Sequence, residues 1–153
     1  MHITIKQVSA LPKDIDVLKQ HAEGEGFAFL ERMIQEFATG SNKFDQSGES
    51  LYLAYDDERL VACGGVNQQR SEVQEVVESS KKIGRVRRFY VLPEYRKHGV
   101  GKLLLQHLER QAQQHFSALC LHTDTKSAAH FYQKMNYVFV ENNPNYNYFK
   151  YLI

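Results

Sequence analysis

Tryptophan is absent from this 153-residue chain, cysteine occurs twice and proline three times. Two distant thiols, Cys63 and Cys120, make neither a disulfide framework nor a metal-ligand spacing. No other metal-binding pattern is visible. Both thiols sit in apolar, strand-like stretches, which points to the reduced interior of a cytoplasmic protein. An excess of one charge is also lacking. Lys and Arg number 19 against 18 Asp and Glu, for a formal charge of +1. The chain as a whole is therefore no polyanion binder, and any basic site must come from local clustering. Apolar runs stop at four or five residues, as in Ala118-Leu119-Cys120-Leu121, far short of a bilayer span. The opening residues carry no long apolar core followed by a small-residue cleavage site, so no secretory signal is expected. What remains is an ordinary soluble composition, 42% hydrophobic and 24% charged, sufficient for a single domain over 1–153 with its own core.

Periodicity gives the element order. His2 to Val8 alternates as a half-buried strand. Leu11, Ile15, Val17 and Leu18 recur at helical spacing until Gly24-Glu25-Gly26, and Phe27, Leu30, Ile34 and Phe37 begin a second helix that stops at Gly40. Leu51–Tyr55 and Arg59–Asn67 flank the turn Asp56-Asp57-Glu58 as a hairpin, with Gly64-Gly65 marking a bulge or a close backbone approach. Residues 68–82 read as an exposed loop with room for one helical turn. Gly84 to Leu92 is a further strand. A helix from Gly99 to about His115 buries Val100, Leu103, Leu104, Leu108 and Ala112. Ala118 to His122 is a buried strand, Asp124 or Thr125 caps a short helix through Lys134, and residues 137–141 and 146–152 close the sheet. The order β-α-α-β-β-β-α-β-α-β-β indicates a mixed α/β sheet with helices on both faces.

One stretch concentrates charge. Residues 85–102 hold six Lys or Arg against one Glu, plus His98. A strand ends there, a glycine-containing loop turns, and a helix begins. Amides at a helix start lack internal acceptors and the helix dipole adds positive potential. Gly99 and Gly101 admit a bulky anion, and Arg96, Lys97 and Lys102 add full charges, so the segment suits a phosphate or diphosphate. Nucleotide hydrolysis and dinucleotide redox chemistry are disfavoured: Leu103 follows Gly101-Lys102 where a Walker loop needs Ser or Thr, and Leu104 stands where the dinucleotide fingerprint needs its third glycine. The basic patch is short and carries no recognised nucleic-acid reading motif.

The segment Val91-Leu92-Pro93-Glu94-Tyr95-Arg96-Lys97-His98-Gly99-Val100-Gly101 resembles the acyl-CoA signature V-x-P-x-[YFW]-[RQ]-x-x-G-[IVL]-[GA] of the GNAT superfamily of N-acetyltransferases. Downstream, Ala128 to Tyr137 is similar to the family's A-x-x-F-Y-x-x-x-G-[FY] segment. Three positions depart from the family pattern. Thr125 replaces a helix-opening Asn, Asn136 replaces a Gly, and Arg85 stands where many members place a strand Glu as base.

The resemblance implies a GNAT-like fold with the fourth and fifth strands splayed, and acetyl-CoA as cosubstrate with no metal. Backbone groups of Phe89, Tyr90 and Val91 would hold the pantetheine arm and polarise the thioester. Amides along Lys97, His98, Gly99, Val100, Gly101 and Lys102, with Arg96 nearby, would hold the diphosphate, and side chains at 99 or 101 would collide with it. Thr125 would cap its helix and contact a pantetheine amide. Tyr132 would be both a cofactor contact and the general acid for the departing thiolate. His122 is the candidate base or water relay. The implied activity is acetyl transfer to a primary amine, on a small molecule or peptide, by direct attack in a ternary complex. Neither nucleic acid nor membrane is an expected partner, and homodimers are common in the family. The alternative is a non-catalytic acyl-CoA sensor. Strand alternation sends Arg85 and Arg87 to one face of their strand and Arg88 to the other.

Overall fold

A computed structural model describes residues 1–69 and 82–152. The elements run β1 (Ile3–Gln7), α1 (Ile15–Gly24), α2 (Phe29–Thr39), β2 (Ser50–Asp56), β3 (Arg59–Gln68) and β4 (Lys82–Val91). A single 3₁₀ turn (Pro93–Tyr95) leads on to α3 (Val100–Ala112), β5 (Phe116–Leu121), α4 (Lys126–Lys134), β6 (Val138–Phe139) and β7 (Tyr148–Tyr151). The order matches the periodicity, with two shortened ends. The first helix begins at Ile15 rather than Leu11, and the strand expected over 137–141 is only two residues long. Most of the loop expected over 68–82, including its helical turn, lies outside the described residues.

The seven strands form one sheet in the order β1-β2-β3-β4-β5-β7-β6, antiparallel except for β4 beside β5. That parallel pair needs a crossover, which α3 supplies over the sheet. Its buried stripe, Val100, Leu104, Leu105, Leu108 and Ala112, differs from the predicted one only in the exchange of Leu105 for Leu103. Helices α1 and α2 cover the other face with Ile15, Leu18, Ala22, Leu30 and Met33. Adjacent glycines of β3 report the two faces. A Cβ at Gly64 would meet Phe89 and, beyond it, Leu108 of α3; one at Gly65 would meet Phe44, whose ring stacks on Phe37 of α2.

Two irregularities in β4 position everything that follows. Pairing with β5 covers only Lys82 to Arg85, opposite Phe116 to Cys120, so residues 86–91 continue without β5 beside them. The strands therefore splay, as the resemblance implied. On the β3 side, Gly65 pairs with Arg87 and Cys63 with Tyr90, so Gly64 alone faces both Arg88 and Phe89. The extra residue is absorbed at Arg88, which has a left-handed φ of 57°. A bulge next to the predicted glycine pair thus forms, and it overturns the strict alternation expected of the arginines. Arg88 bonds Glu36 on α2 at 2.9 Å, and Arg87 has Arg88, Glu36 and Arg85 as its electrostatic neighbours. Arg85, Arg87 and Arg88 all face α2, because the inserted residue resets the register of side chains.

The bulge depends on the missing side chain at Gly64, where a Cβ would lie 2.6 Å from the Phe89 ring. Gly64→Ala is expected to cost about 1–3 kcal/mol of unfolding free energy, in the range of overpacked cores. Urea denaturation with unchanged m-value is the measurement.

Candidate active site

The site lies where β4 leaves β5. On the α3 side, Phe89 packs against Phe131 and Tyr132 of α4 at ring separations of 5.7 and 6.0 Å. Tyr132 is in turn edge-on to Phe131 and Tyr137. Thr125 opens α4 as its N-cap, accepting the Ala128 amide at 3.3 Å, the capping role expected of it. Asn136 takes the left-handed backbone (φ 72°) that the motif's glycine would have taken, and its turn brings Tyr137 back against Tyr132.

Tyr132 is 6% exposed, and its hydroxyl makes no hydrogen bond to any described residue. It is nevertheless absent from the sealed, partnerless atoms, which are Ser50 Oγ and Arg88 Nε. The hydroxyl thus retains an opening to solvent. Burial raises its pKa well above the ordinary tyrosine value, so the phenol holds its proton through the neutral range.

The turn after β4 forms a cradle of amides. Lys97 (φ 64°) and Gly99 (φ 84°) are both left-handed, with His98 between them, and Gly99 is the N-cap of α3. None of the amides of residues 97–102 makes a short, well-aligned hydrogen bond to a described backbone carbonyl; the first that does is Leu103, to Gly99 O. Alternating backbone handedness ahead of a helix start is a concave anion site. Gly99 opens onto free space, so what requires glycine there inside the protein is its φ. Gly101 is different: a Cβ would lie 3.3 Å from the Phe131 ring, so α3 seats against α4 through it. Lys97, His98 and Lys102 are exposed beside the cradle.

The Arg96 side chain departs from the sequence expectation of a charge free for the anion. Its guanidinium is bound at both ends by Glu25 (2.7 and 2.8 Å), donates from Nε to Val91 O at 2.9 Å, and lies over the Tyr90 ring. Tyr90 donates its hydroxyl to the same carboxylate. Glu25 belongs to the turn between α1 and α2, so this three-residue cluster ties that turn to the end of β4. The fold thus uses Glu25, which the sequence placed in a helix-breaking turn, to hold Arg96.

His122 follows β5, half-exposed, with Nε2 3.0 Å from Asp124. Cys63 is fully buried, donates to Arg88 O at 3.3 Å, and is pushed by burial up to about 12, so it stays a thiol. Cys120 is buried as well.

The family model for the GNAT acetyltransferase domain matches residues 47–139, which carry β2 through β6 and hence the splay, the cradle and Tyr132. The chain belongs to the GNAT acetyltransferase family. Among solved structures, this GNAT protein is similar over 99% of its length to 94% of a candidate acetyltransferase from Exiguobacterium sp. 255-15, with 27% identity and a TM-score of 0.81. A GNAT-family acetyltransferase from Staphylococcus aureus MU50 shares the fold at 15% identity and a TM-score of 0.70, covering 98% of this chain and all of that one. A variant of the AtaT toxin, bound to the C-terminus of the antitoxin AtaR and to acetyl-CoA, does so at 10% identity and 0.72, covering 99% and 94%. No curated protein matches the sequence. Acyl transfer is the chemistry of the family. Among the described residues no helix is long and apolar enough to cross a membrane.

The Glu25 cluster makes a pH prediction. The Arg96 bond holds the Glu25 carboxyl below its ordinary value of 4.5, with Tyr90 assisting against the opposing effect of burial. A depressed folded pKa stabilises above the unfolded value and loses that contribution as pH falls through the folded one. Wild-type stability is therefore expected to exceed that of Glu25→Gln at pH 7. The gap should shrink as pH drops below 4.5, measured by paired denaturation curves.

Proposed function

We propose that the protein transfers the acetyl group of acetyl-CoA to a primary amine by direct attack within a ternary complex. The observation that carries this reading is the open edge of β4, residues 86–91, with the amide cradle at one end and the Tyr132 ring packed on Phe89 beside it. Donors on an unpaired strand can bind the amides of a pantetheine arm as a further strand would, and the cradle suits a diphosphate. Acetyl-CoA supplies an activated thioester; the chain's own residues do the rest. An amide near Val91 would stabilise the oxyanion as the amine adds. Tyr132, protonated and without a protein partner, would give its proton to the sulfur as the carbon–sulfur bond breaks. The products are the N-acetyl amine and CoA thiol; the amine's surplus proton leaves to solvent, with the His122–Asp124 pair as the candidate relay, and Tyr132 takes a proton back from solvent, so no net proton is released.

Thr125 sits at the head of α4 as a further contact for the pantetheine arm. The buried state of both cysteines supports direct transfer over an acetyl-enzyme, because neither thiol is accessible for attack and burial keeps Cys63 a thiol.

Thermal denaturation with acetyl-CoA, CoA and 3′-dephospho-CoA tests the cofactor. At a hundredfold its dissociation constant, acetyl-CoA should add about 2.7 kcal/mol of stability. An acceptor screen by thiol release then tests turnover. Tyr132→Phe should lower kcat by roughly 10²–10³-fold while keeping the acetyl-CoA shift. Unchanged turnover in this variant would remove Tyr132 from the chemistry, and no shift with any acyl-CoA would overturn the reading as a whole.

A further inference from the structure

The opposite face of β4 carries a second concentration of positive charge. Arg85, Arg87 and Arg88 all face α2 there, and Arg88 with Arg32, Gln35, Glu36, Thr39 and Ser41 lines a groove of about 300 Å³ between α2 and the bulge. Two acids, Glu36 and Glu49, stand against these three arginines, so the row keeps an excess of positive charge. Glu36 bonds one Nη of Arg88. Glu49 spends its carboxylate on Gln46 N, Asn67 Nδ2 and Gln68 N.

Two donors are left over. The Arg88 side chain is 8% exposed, yet its Nε is sealed and has no partner. A buried, unsatisfied guanidinium nitrogen is costly and calls for an explanation. Arg87 is half-buried and makes no hydrogen bond or ion pair with any described residue; burial and then the nearby Arg88 hold its pKa below the ordinary arginine value. Arg85, at the point where β5 parts from β4, donates to Asn145 O in the β6–β7 connection and to Gln69.

We propose that this arginine row is the acceptor's anion subsite, and that the amine acetylated is a small molecule that also carries a carboxylate or phosphate. The inference rests on the acetyltransferase reading above. Planar guanidinium donors match both oxyanions in geometry as well as charge. From Arg87 to the open amides at Phe89–Val91 is two to four residues, roughly 7–13 Å of strand. That spacing suits an amine and an anion a few bonds apart.

The test uses full-length protein saturated with CoA, so that the cradle is occupied, and reads thermal stabilisation by O-phosphoethanolamine, β-alanine and ethanolamine. The two anionic amines are expected to stabilise and ethanolamine is not; their ranking separates a phosphate from a carboxylate preference. Arg87→Gln should weaken the anionic probes on the order of tenfold or more and leave the CoA shift unchanged. Arg88→Lys, which keeps the charge but loses Nε, should weaken them as well. In turnover, Arg87→Gln should raise KM for the anionic acceptor with kcat little changed. The proposal is overturned if no anionic probe stabilises the wild type, if ethanolamine does so equally, or if both variants bind like wild type. Failure of the acetyltransferase reading appears separately, as absence of any CoA or acetyl-CoA shift. The probes are then applied to the free protein, where dependence on Arg87 still decides.

Discussion

Past Arg85, β4 gives up its hydrogen bonds to β5 and runs on alone to Val91. A parallel sheet interior normally satisfies every backbone donor and acceptor, so an open stretch beside a buried aromatic cluster is a standing demand for a partner. Aromatic clusters lie on both faces of the open stretch. Phe89, Phe131 and Tyr132 pack on the α3–α4 face, and Tyr90 with Phe29 packs on the other. The amide cradle, the general-acid candidate and the arginine row are all placed relative to that opening.

The bulge at Arg88 gives the strand its two chemistries. Without it, residues 87 and 88 would point to opposite faces, and one arginine would enter the aromatic cluster where Phe89 now sits. With it, the α3 face is wholly apolar up to the open edge and the α2 face is wholly cationic from Arg85 to Arg88. The strain of a left-handed arginine backbone is offset by the Glu36 bond and by the Cys63 thiol donating to the Arg88 carbonyl. Gly64 is the permissive partner on β3.

Much of this was legible because it is local. The stripe of α3, the glycine at its start, the Thr125 cap and the left-handed Asn136 each follow from a few adjacent residues and their backbone preferences. The glycine pair in β3 announced an irregularity, but not which residue across the ladder would absorb it, and that choice decides where Arg88 points. The Arg96–Glu25 pair joins positions 71 apart in the sequence, so no spacing rule could find it. Its effect is to pair Arg96 with Glu25, while Lys97 and Lys102 stay exposed beside the cradle. The turn of β6 to β7 departs from the expected strands although its cause is local. Asn143 accepts the amides of Asn145 and Tyr146, which curls the chain and shortens β6 to two residues.

The arrangement also bears on how an amine could react where Arg85 replaces the strand carboxylate that many relatives use as a base. A carboxylate near the nucleophile would favour the ammonium form while also offering to take its proton. Three guanidinium groups do the reverse: like charges nearby disfavour the ammonium and so favour the nucleophilic neutral amine. The same field would repel a purely cationic acceptor unless a negative group on the molecule compensated it. An acceptor carrying its own anion brings the countercharge that the strand does not provide.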